Sequence, residues 1–424
     1  MRIWLITVGE PLPTDGPNER FHRCGILAQR MAASGHQVVW WSSDFDHVRK
    51  KHRFNALHRQ QVNPNLLLIL LHGRGYQRNV SLDRLRDHQE MAEQFARMAN
   101  DETPPDIVVS SLPTLELCAE AVAYGRRQKV PVLLDIRDLW PDVFEEVLPG
   151  WLQPVGKVVF HSFRRLARNA CRDASGLIGI TEPFLGWGLD HAGRSRREED
   201  AVFPHGYRKQ HFTPEEWAEG LAFWQNLGIA DNRFFILCFF GAFGRQFDLA
   251  TVIKAGQLIE EGGFGDKVRI VLCGAGDNLN TYKTMAKGVP ALVLPGWVNA
   301  VQIATLMSIS QAGLAPYRNV ANFVGNLPNK PIEYMSAGLP IFSCLRGHLQ
   351  EILARHEIGF MYEEGQPESL VTLIRRFIDN RQPLEPCSHR ALACFTKEYD
   401  AEQVYQNYEA HLEGVVTRWK KGSS

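Results

Sequence analysis

Short, continuous apolar runs recur along this chain, separated by segments of helical period, and this alternation constrains the fold more than any other feature. Runs at residues 3–8, 37–42, 66–71, 106–110, 130–135, 176–181 and 201–203 are interleaved with stretches such as 21–34 and 115–128, whose apolar residues fall at helical spacing. The second half repeats the theme at 234–240, 268–273, 291–294, 312–315, 339–343 and 359–362. A strand with one solvated face alternates apolar and polar residues. A continuous run is buried on both faces, which requires a parallel sheet with helices on each side. The pattern predicts an α/β protein of two doubly wound, Rossmann-like domains, with a boundary within 204–232, where His205-Gly206-Tyr207 and Phe212-Thr213-Pro214 punctuate the chain. Ligands of such sheets bind at the carboxyl ends of the strands, so two domains facing one another would form a cleft.

At 424 residues, 45% hydrophobic and 22% charged, the chain is too long for one small core. Lys+Arg and Asp+Glu both number 47, so no global field argues for nucleic acid as a partner. The eight cysteines form no C-x-x-C pair, and Cys238, Cys273 and Cys344 lie in apolar runs, as expected of small buried hydrophobes in a reducing compartment. The first apolar run is too short for a signal peptide and is followed by Glu10 and prolines. Neither 66–71 nor 234–240 is long enough to span a bilayer. The expectation is a cytoplasmic protein.

The segment from Asn326 to Ser343 carries the most chemistry. A polar, proline-flanked loop delivers Asn329, Lys330 and Glu333 onto the first turns of a short helix, and Gly338-Leu339-Pro340 then turns into a strand. Backbone N–H groups at a helix start favour an anion, Lys330 adds a positive charge, and Glu333 can accept hydrogen bonds from sugar hydroxyls. A nucleotide diphosphate with its ribose meets these demands; a solvated, capped loop is the alternative. Gly241-Ala242-Phe243-Gly244-Arg245 follows a strand and precedes a helix, so Gly241 and Gly244 would let the backbone approach a phosphate that Arg245 clamps. Gly274 and Gly276 end another strand without the third glycine of a dinucleotide fingerprint, which argues against a plain NAD site. Trp297 and Val298 end the next, either lining a base pocket or belonging to the core. In the first half, Asp135-Ile136-Arg137-Asp138-Leu139-Trp140-Pro141-Asp142 crowds charge at a strand end. Asp138 is the functional candidate there, with an Asp135–Arg137 pair as the structural alternative; Arg20, His22 and Arg23 are candidates for the same cleft. Two cationic stretches, Arg49-Lys50-Lys51-His52-Arg53 and the half-apolar 151–170, suit either an anionic membrane surface or an ordinary core-facing helix.

These motifs resemble those of the bacterial retaining glycosyltransferases of family 4, in particular the subgroup that builds O-antigen and capsule sugars. Gly35-His36-Gln37-Val38, Arg137-Asp138-Leu139-Trp140-Pro141, Pro204-His205-Gly206-Tyr207 and the block from Pro328 to Gly338 carry the resemblance, which covers nearly the whole chain. It implies the GT-B fold, with an acceptor-binding domain at 1–205, a nucleotide-sugar domain at 206–400 and a final helix, 401–424, as a candidate for return to the first domain. It also implies transfer of a sugar, with retention, from a nucleotide diphosphate sugar, UDP-linked by preference, to a lipid-linked or saccharide hydroxyl. The site residues so implied are Asp138, Arg245 and Lys330 for catalysis, with Glu333 on the ribose, and neither a metal nor a separate cofactor. The chain departs from the pattern where Gly325 occupies the place of the first of two glutamates, where Arg245 stands in for a displaced Arg/Lys pair, and where His205 replaces an Asn. A nucleotide-sugar 2-epimerase of the same fold and a non-catalytic subunit of a transferase pair are the rival readings.

Overall fold

The computed structural model describes residues 1–16, 21–79, 81–143 and 160–422. It divides into two compact units: Met1–Gly206 together with the segment from Glu402 onward, and Tyr207–Ala401. The first contains β1 (Arg2–Ile6), β2 (Gln37–Ser43), β3 (Phe45–Asp46), β4 (Lys51–His52), β5 (His58–Asn63), β6 (Leu66–Leu71), β7 (Ile107–Ser111), β8 (Val132–Ile136), β9 (Gly176–Gly179) and β10 (Ala201–Val202). The main sheet runs β10-β9-β8-β7-β1-β2-β6-β5, and only its β5–β6 pairing is antiparallel. The second unit has β11 (Phe235–Phe240), β12 (Val268–Cys273), β13 (Leu292–Gly296), β14 (Ala312–Ala315), β15 (Ile341–Ser343) and β16 (Gly359–Met361), ordered β13-β12-β11-β14-β15-β16 and parallel throughout.

Burial on both faces explains the apolar runs. Every residue of β7, β8 and β11 is buried. In the first unit Trp4 stacks on Tyr124 at 4.9 Å and meets Trp41 edge-on at 5.3 Å, binding β1 and β2 to helix Leu115–Gln128. Each such pair adds about 0.5–1.5 kcal/mol beyond area burial. The terminal helix, Ala401–Gly422, joins the first unit through a Phe203–Tyr408 stack at 4.5 Å and through Arg30–Glu409 and Lys420–Asp106 pairs, each at 2.7 Å.

Chain order places a switch in each sheet. From β1 the first sheet grows through β2 and β6 to one side and through β7, β8, β9 and β10 to the other. In the second, β12 and β13 lie on one side of β11, and β14, β15 and β16 on the other. Crevices open at such points, beyond the carboxyl ends of β1/β7 and of β11/β14.

Several expected strand bounds shift for local reasons. Val130 still closes the preceding helix, whose cap, Lys129, adopts the left-handed conformation, and Pro131 has no N–H to give, so β8 begins at Val132. β9 stops at Gly179 because Thr181 caps helix Glu182–Ala192, accepting from the Phe184 N–H at 3.4 Å. β15 begins at Ile341: Leu339 is tied back to Tyr334, and Pro340 has no N–H to give. β5 is an unexpected strand, since its sequence, HRQQVN, is polar and largely exposed at the sheet edge.

The cationic stretches fare differently. Arg49 and Arg53 spend their charge on Asp46 and Asp15. Residues 151–159 lie outside the described residues. In helix His161–Asp173, Ala167, Ala170 and Cys171 are buried, with Phe163 and Leu166 packed against the core, so that apolar face is already covered. Among the described residues no helix is long and apolar enough to cross a membrane.

Candidate functional site

Most of the sequence candidates in the second unit meet at the β11/β14 switch. After β11 the chain turns at Gly241, whose φ of +147° favours glycine, and after β12 at Gly274, φ +152°. A Cβ on Gly274 would collide with the Gly241 carbonyl oxygen, and one on Gly241 would lie 2.6 Å from Lys330 Nζ. The bonds Gly241 N–H to Cys273 O (2.9 Å), Phe243 N–H to Ala275 O (2.8 Å) and Gly274 N–H to Gly296 O (2.7 Å) lace the three strand-end loops together. Gly276 packs against the Phe243 backbone, and Gly244 sits beneath the Gln246 side chain. Glycine therefore serves here for close approach of backbone to backbone and to a cation.

Lys330 and Glu333 stand on helix Asn329–Ser336, capped by Pro328, which offers no side-chain acceptor to the first-turn N–H groups. The Lys330 ammonium lies over the Phe247 ring at 4.7 Å and the Phe239 ring at 5.4 Å. Burial lowers its pKa and Glu333 opposes that shift. A half-buried cation beside an uncapped helix start is a seat for anionic oxygen. Asn329 is exposed and Glu333 half-buried.

Arg245 is exposed on the same loop, and its carbonyl accepts from Arg318 Nε at 3.2 Å. Arg318 was not singled out from sequence. It follows β14, lies 3.7 Å from Asp248 and 3.6 Å from Glu364, and braces the Arg245 turn; its place just after a switch strand was the available signal. Trp297 is 76% exposed, which rules out the core alternative, whereas Val298 is buried and can contribute only its backbone. Gly325 ends the short helix Ala321–Val324.

In the first unit, charges that are crowded in sequence separate by role. Asp135 is fully buried and paired with Arg23 at 2.9 Å and Arg137 at 2.7 Å, while Arg137 also bonds Glu10. Burial alone would raise the Asp135 carboxyl; the two guanidiniums pull it down to about 2. Arg23, expected in the cleft, instead donates to Phe203 O and Pro204 O and holds the last strand in place. His22 is exposed, and Arg20 lies outside the described residues. Burial pushes His205 down to about 3, leaving it neutral at pH 7. Asp138 takes no part in the Arg23–Asp135–Arg137 network. It lines a cavity of about 240 Å³ at the β1/β7 switch, where burial raises its carboxyl to about 6 against the Leu139 N–H and Arg84.

Residues 225–392 match the family model described as glycosyl transferases group 1, so the chain carries the domain of a glycosyltransferase enzyme. No curated protein matches by sequence. Among solved structures the chain is similar to sucrose-phosphate synthase from Thermosynechococcus elongatus (15% identity, TM-score 0.70, 100% of both chains covered). It is also similar to HepE of Anabaena in complex with UDP-glucose (15%, 0.62, covering 98% of this chain and 100% of that one). A third similar structure is the catalytic domain of starch synthase IV from Arabidopsis thaliana bound to ADP and acarbose (11%, 0.64, covering 98% and 99%). The fold is that of the GT-B glycosyltransferases.

Proposed function

We propose that this chain is a retaining glycosyltransferase that moves a sugar from a nucleotide diphosphate sugar to a hydroxyl of a lipid-linked or saccharide acceptor in cell-surface polysaccharide synthesis. One observation carries the reading: Gly241, Gly274, Lys330 and Glu333 converge at a sheet switch point, within the segment that matches the group 1 family. The ligands named for the similar structures, UDP-glucose in HepE and ADP in starch synthase IV, support a nucleotide-linked donor.

In this reading the bond from the anomeric carbon to the β-phosphate oxygen breaks, its electron pair leaving with the phosphate. The acceptor oxygen bonds the anomeric carbon on the same face and passes its proton to the departing phosphate. The protein's part is to stabilise charge on the leaving group. Lys330, held at partly desolvated range by Phe239 and Phe247, and the uncapped start of its helix meet that charge, assisted by Arg245. Glu333 accepts from the ribose hydroxyls, the loops at Gly274, Gly276 and Trp297 border the base, and Asp138 orients the acceptor.

The test separates two kinds of loss. Lys330 meets charge that grows as the bond breaks, so Lys330→Ala is expected to lower kcat by about 2–4 kcal/mol of barrier, with a smaller effect on donor KM. Glu333 meets hydroxyls whose charge does not change, so Glu333→Ala raises donor KM and leaves kcat nearly intact. Steady-state kinetics, once thermal-shift screening of nucleotide sugars has identified the donor, decide between them; the reverse pattern would refute both roles.

A further inference from the structure

The cavity beside Asp138 is bordered by Val8 and Gly9 after β1 and by Pro113 and Thr114 after β7, at the switch point of the first sheet. Such crevices take ligands. A second cavity, about 560 Å³, adjoins it, and Phe45 and Tyr76 line both. Two cations lie near the Tyr76 ring: Lys50 Nζ is 4.7 Å from its centroid and the Arg84 guanidinium 5.5 Å. Among the described residues neither has a carboxylate within ion-pair distance. Lys50 bonds Asn79 Oδ1, and Arg84 donates to Asn79 O while lying over Trp140 at 4.5 Å.

Carboxylates do face this pair: Asp138, Asp87 and Glu116 act on Arg84 and Asp46 on Lys50, each also engaged elsewhere. Asp46 accepts from the Val48 and Arg49 N–H groups and lies 3.6 Å from Arg53; Asp87 accepts from the Gly75 N–H; Asp138 accepts from the Leu139 N–H; Glu116 lies 3.7 Å from His88; and Asp83 is exposed. Two polar atoms at the first cavity are buried with no hydrogen-bond partner, Arg84 Nε and Thr114 Oγ1, while His88 Nδ1 lies 3.7 Å from Glu116. Thr114 is only 2% exposed. A native fold leaves few such orphans, and two of them at one cavity mark where a polar ligand belongs. Lys50 adds a backbone observation. It holds φ +55°, which costs a non-glycine residue about 1 kcal/mol or more and persists where the surroundings require it. Burial, helped by Lys50 and Arg84, drives the neighbouring His47 down to about 4.

We propose that Lys50 and Arg84, both beside Tyr76 and both bonded to Asn79, together with Thr114 in the lining of the first cavity, seat a phosphate or diphosphate group carried by the acceptor. The assignment rests on the transferase reading for the word acceptor, and on the first unit's own geometry for the anion. Guanidinium and ammonium donors fit phosphate oxygens, and the Thr114 hydroxyl supplies a further donor. The two cavities give room for the ester group beyond it.

Hydrogen–deuterium exchange on the full chain, with millimolar inorganic pyrophosphate as probe, tests this. Slowed exchange is expected in peptides covering 46–53 and 73–79, and it should weaken with salt. Lys50→Asn, which tolerates the positive φ, and Arg84→Met should each weaken the apparent affinity at these peptides by roughly tenfold. Protection confined to 241–246 and 326–334, or none anywhere, overturns the proposal, as does protection at 46–53 that both variants retain. Should Arg84→Met fail to fold, the half-buried Lys50→Asn change decides alone. Protection of 241–246 by UDP-glucose is read in the same experiment and bears on the donor assignment separately.

Discussion

Replacing Asp138 with Asn should stabilise the protein at neutral and alkaline pH and leave it unchanged in acid. Burial holds the folded carboxyl at about 6, against 3.8 for the unfolded group. Below pH 4 both states carry the proton and the residue is neutral either way. Between pH 4 and 6 the unfolded chain has released its proton and the folded chain has not, so stability falls as pH rises through this window and levels off above it. The difference of about two units corresponds to about 3 kcal/mol, at about 1.4 kcal/mol per unit. Asn keeps the acceptor that takes the Leu139 N–H at 2.9 Å and carries no charge to desolvate. The variant should therefore unfold about 2–3 kcal/mol later than the parent at pH 8 and within about 0.5 kcal/mol of it at pH 4. Urea titrations of both proteins at several pH values, followed through the buried tryptophans Trp4, Trp40 and Trp41 of the same unit, measure this. A difference independent of pH, or a variant weaker than its parent at pH 8, would refute the claim that Asp138 is a desolvated acid.

Three other substitutions test how each unit is held. Gly274→Ala forces a Cβ into the Gly241 carbonyl at φ +152° and should cost about 2–4 kcal/mol and blunt nucleotide binding, while Gly288→Ala, at φ +79° with open space around it, should cost about 1 kcal/mol; equal melting losses for the two would show that the strand-end loops are not in close contact. Asp135→Asn removes the shared partner of Arg23 and Arg137 and should cost about 3–5 kcal/mol, because buried guanidinium charge loses its counter-ion; an unchanged melting temperature would contradict the network.

The contrast between the two candidate sites explains what could be read in the sequence. The periodicity that marks parallel strands is local and survives at every buried strand, which is why β11 and β12 could be placed almost to the residue. Edge strand β5 escaped because exposure removes the apolar run that identifies a strand. Site chemistry follows the same logic. At the β11/β14 switch the glycines and the Lys330/Glu333 turn occupy three short contiguous segments, so their residue types alone suggest an anion. At the β1/β7 switch the groups that line the two cavities come from separated places, among them Gly9, Lys50, Tyr76, Arg84 and Thr114, none unusual in its local sequence. Nothing in Ser81-Leu82-Asp83-Arg84 distinguishes a cavity arginine from a solvated one on the first turn of a helix. Only the fold brings Lys50 and Arg84 together beside Tyr76, where among the described residues neither has a carboxylate within ion-pair distance. Within the charged stretch 135–142, Asp135 is the most strongly paired, with Arg137 as the sequence allowed and with Arg23 as it did not show, whereas Asp138, free of that pairing, has a raised pKa and faces a cavity. Partnership, which depends on the fold, separates these two aspartates where composition cannot.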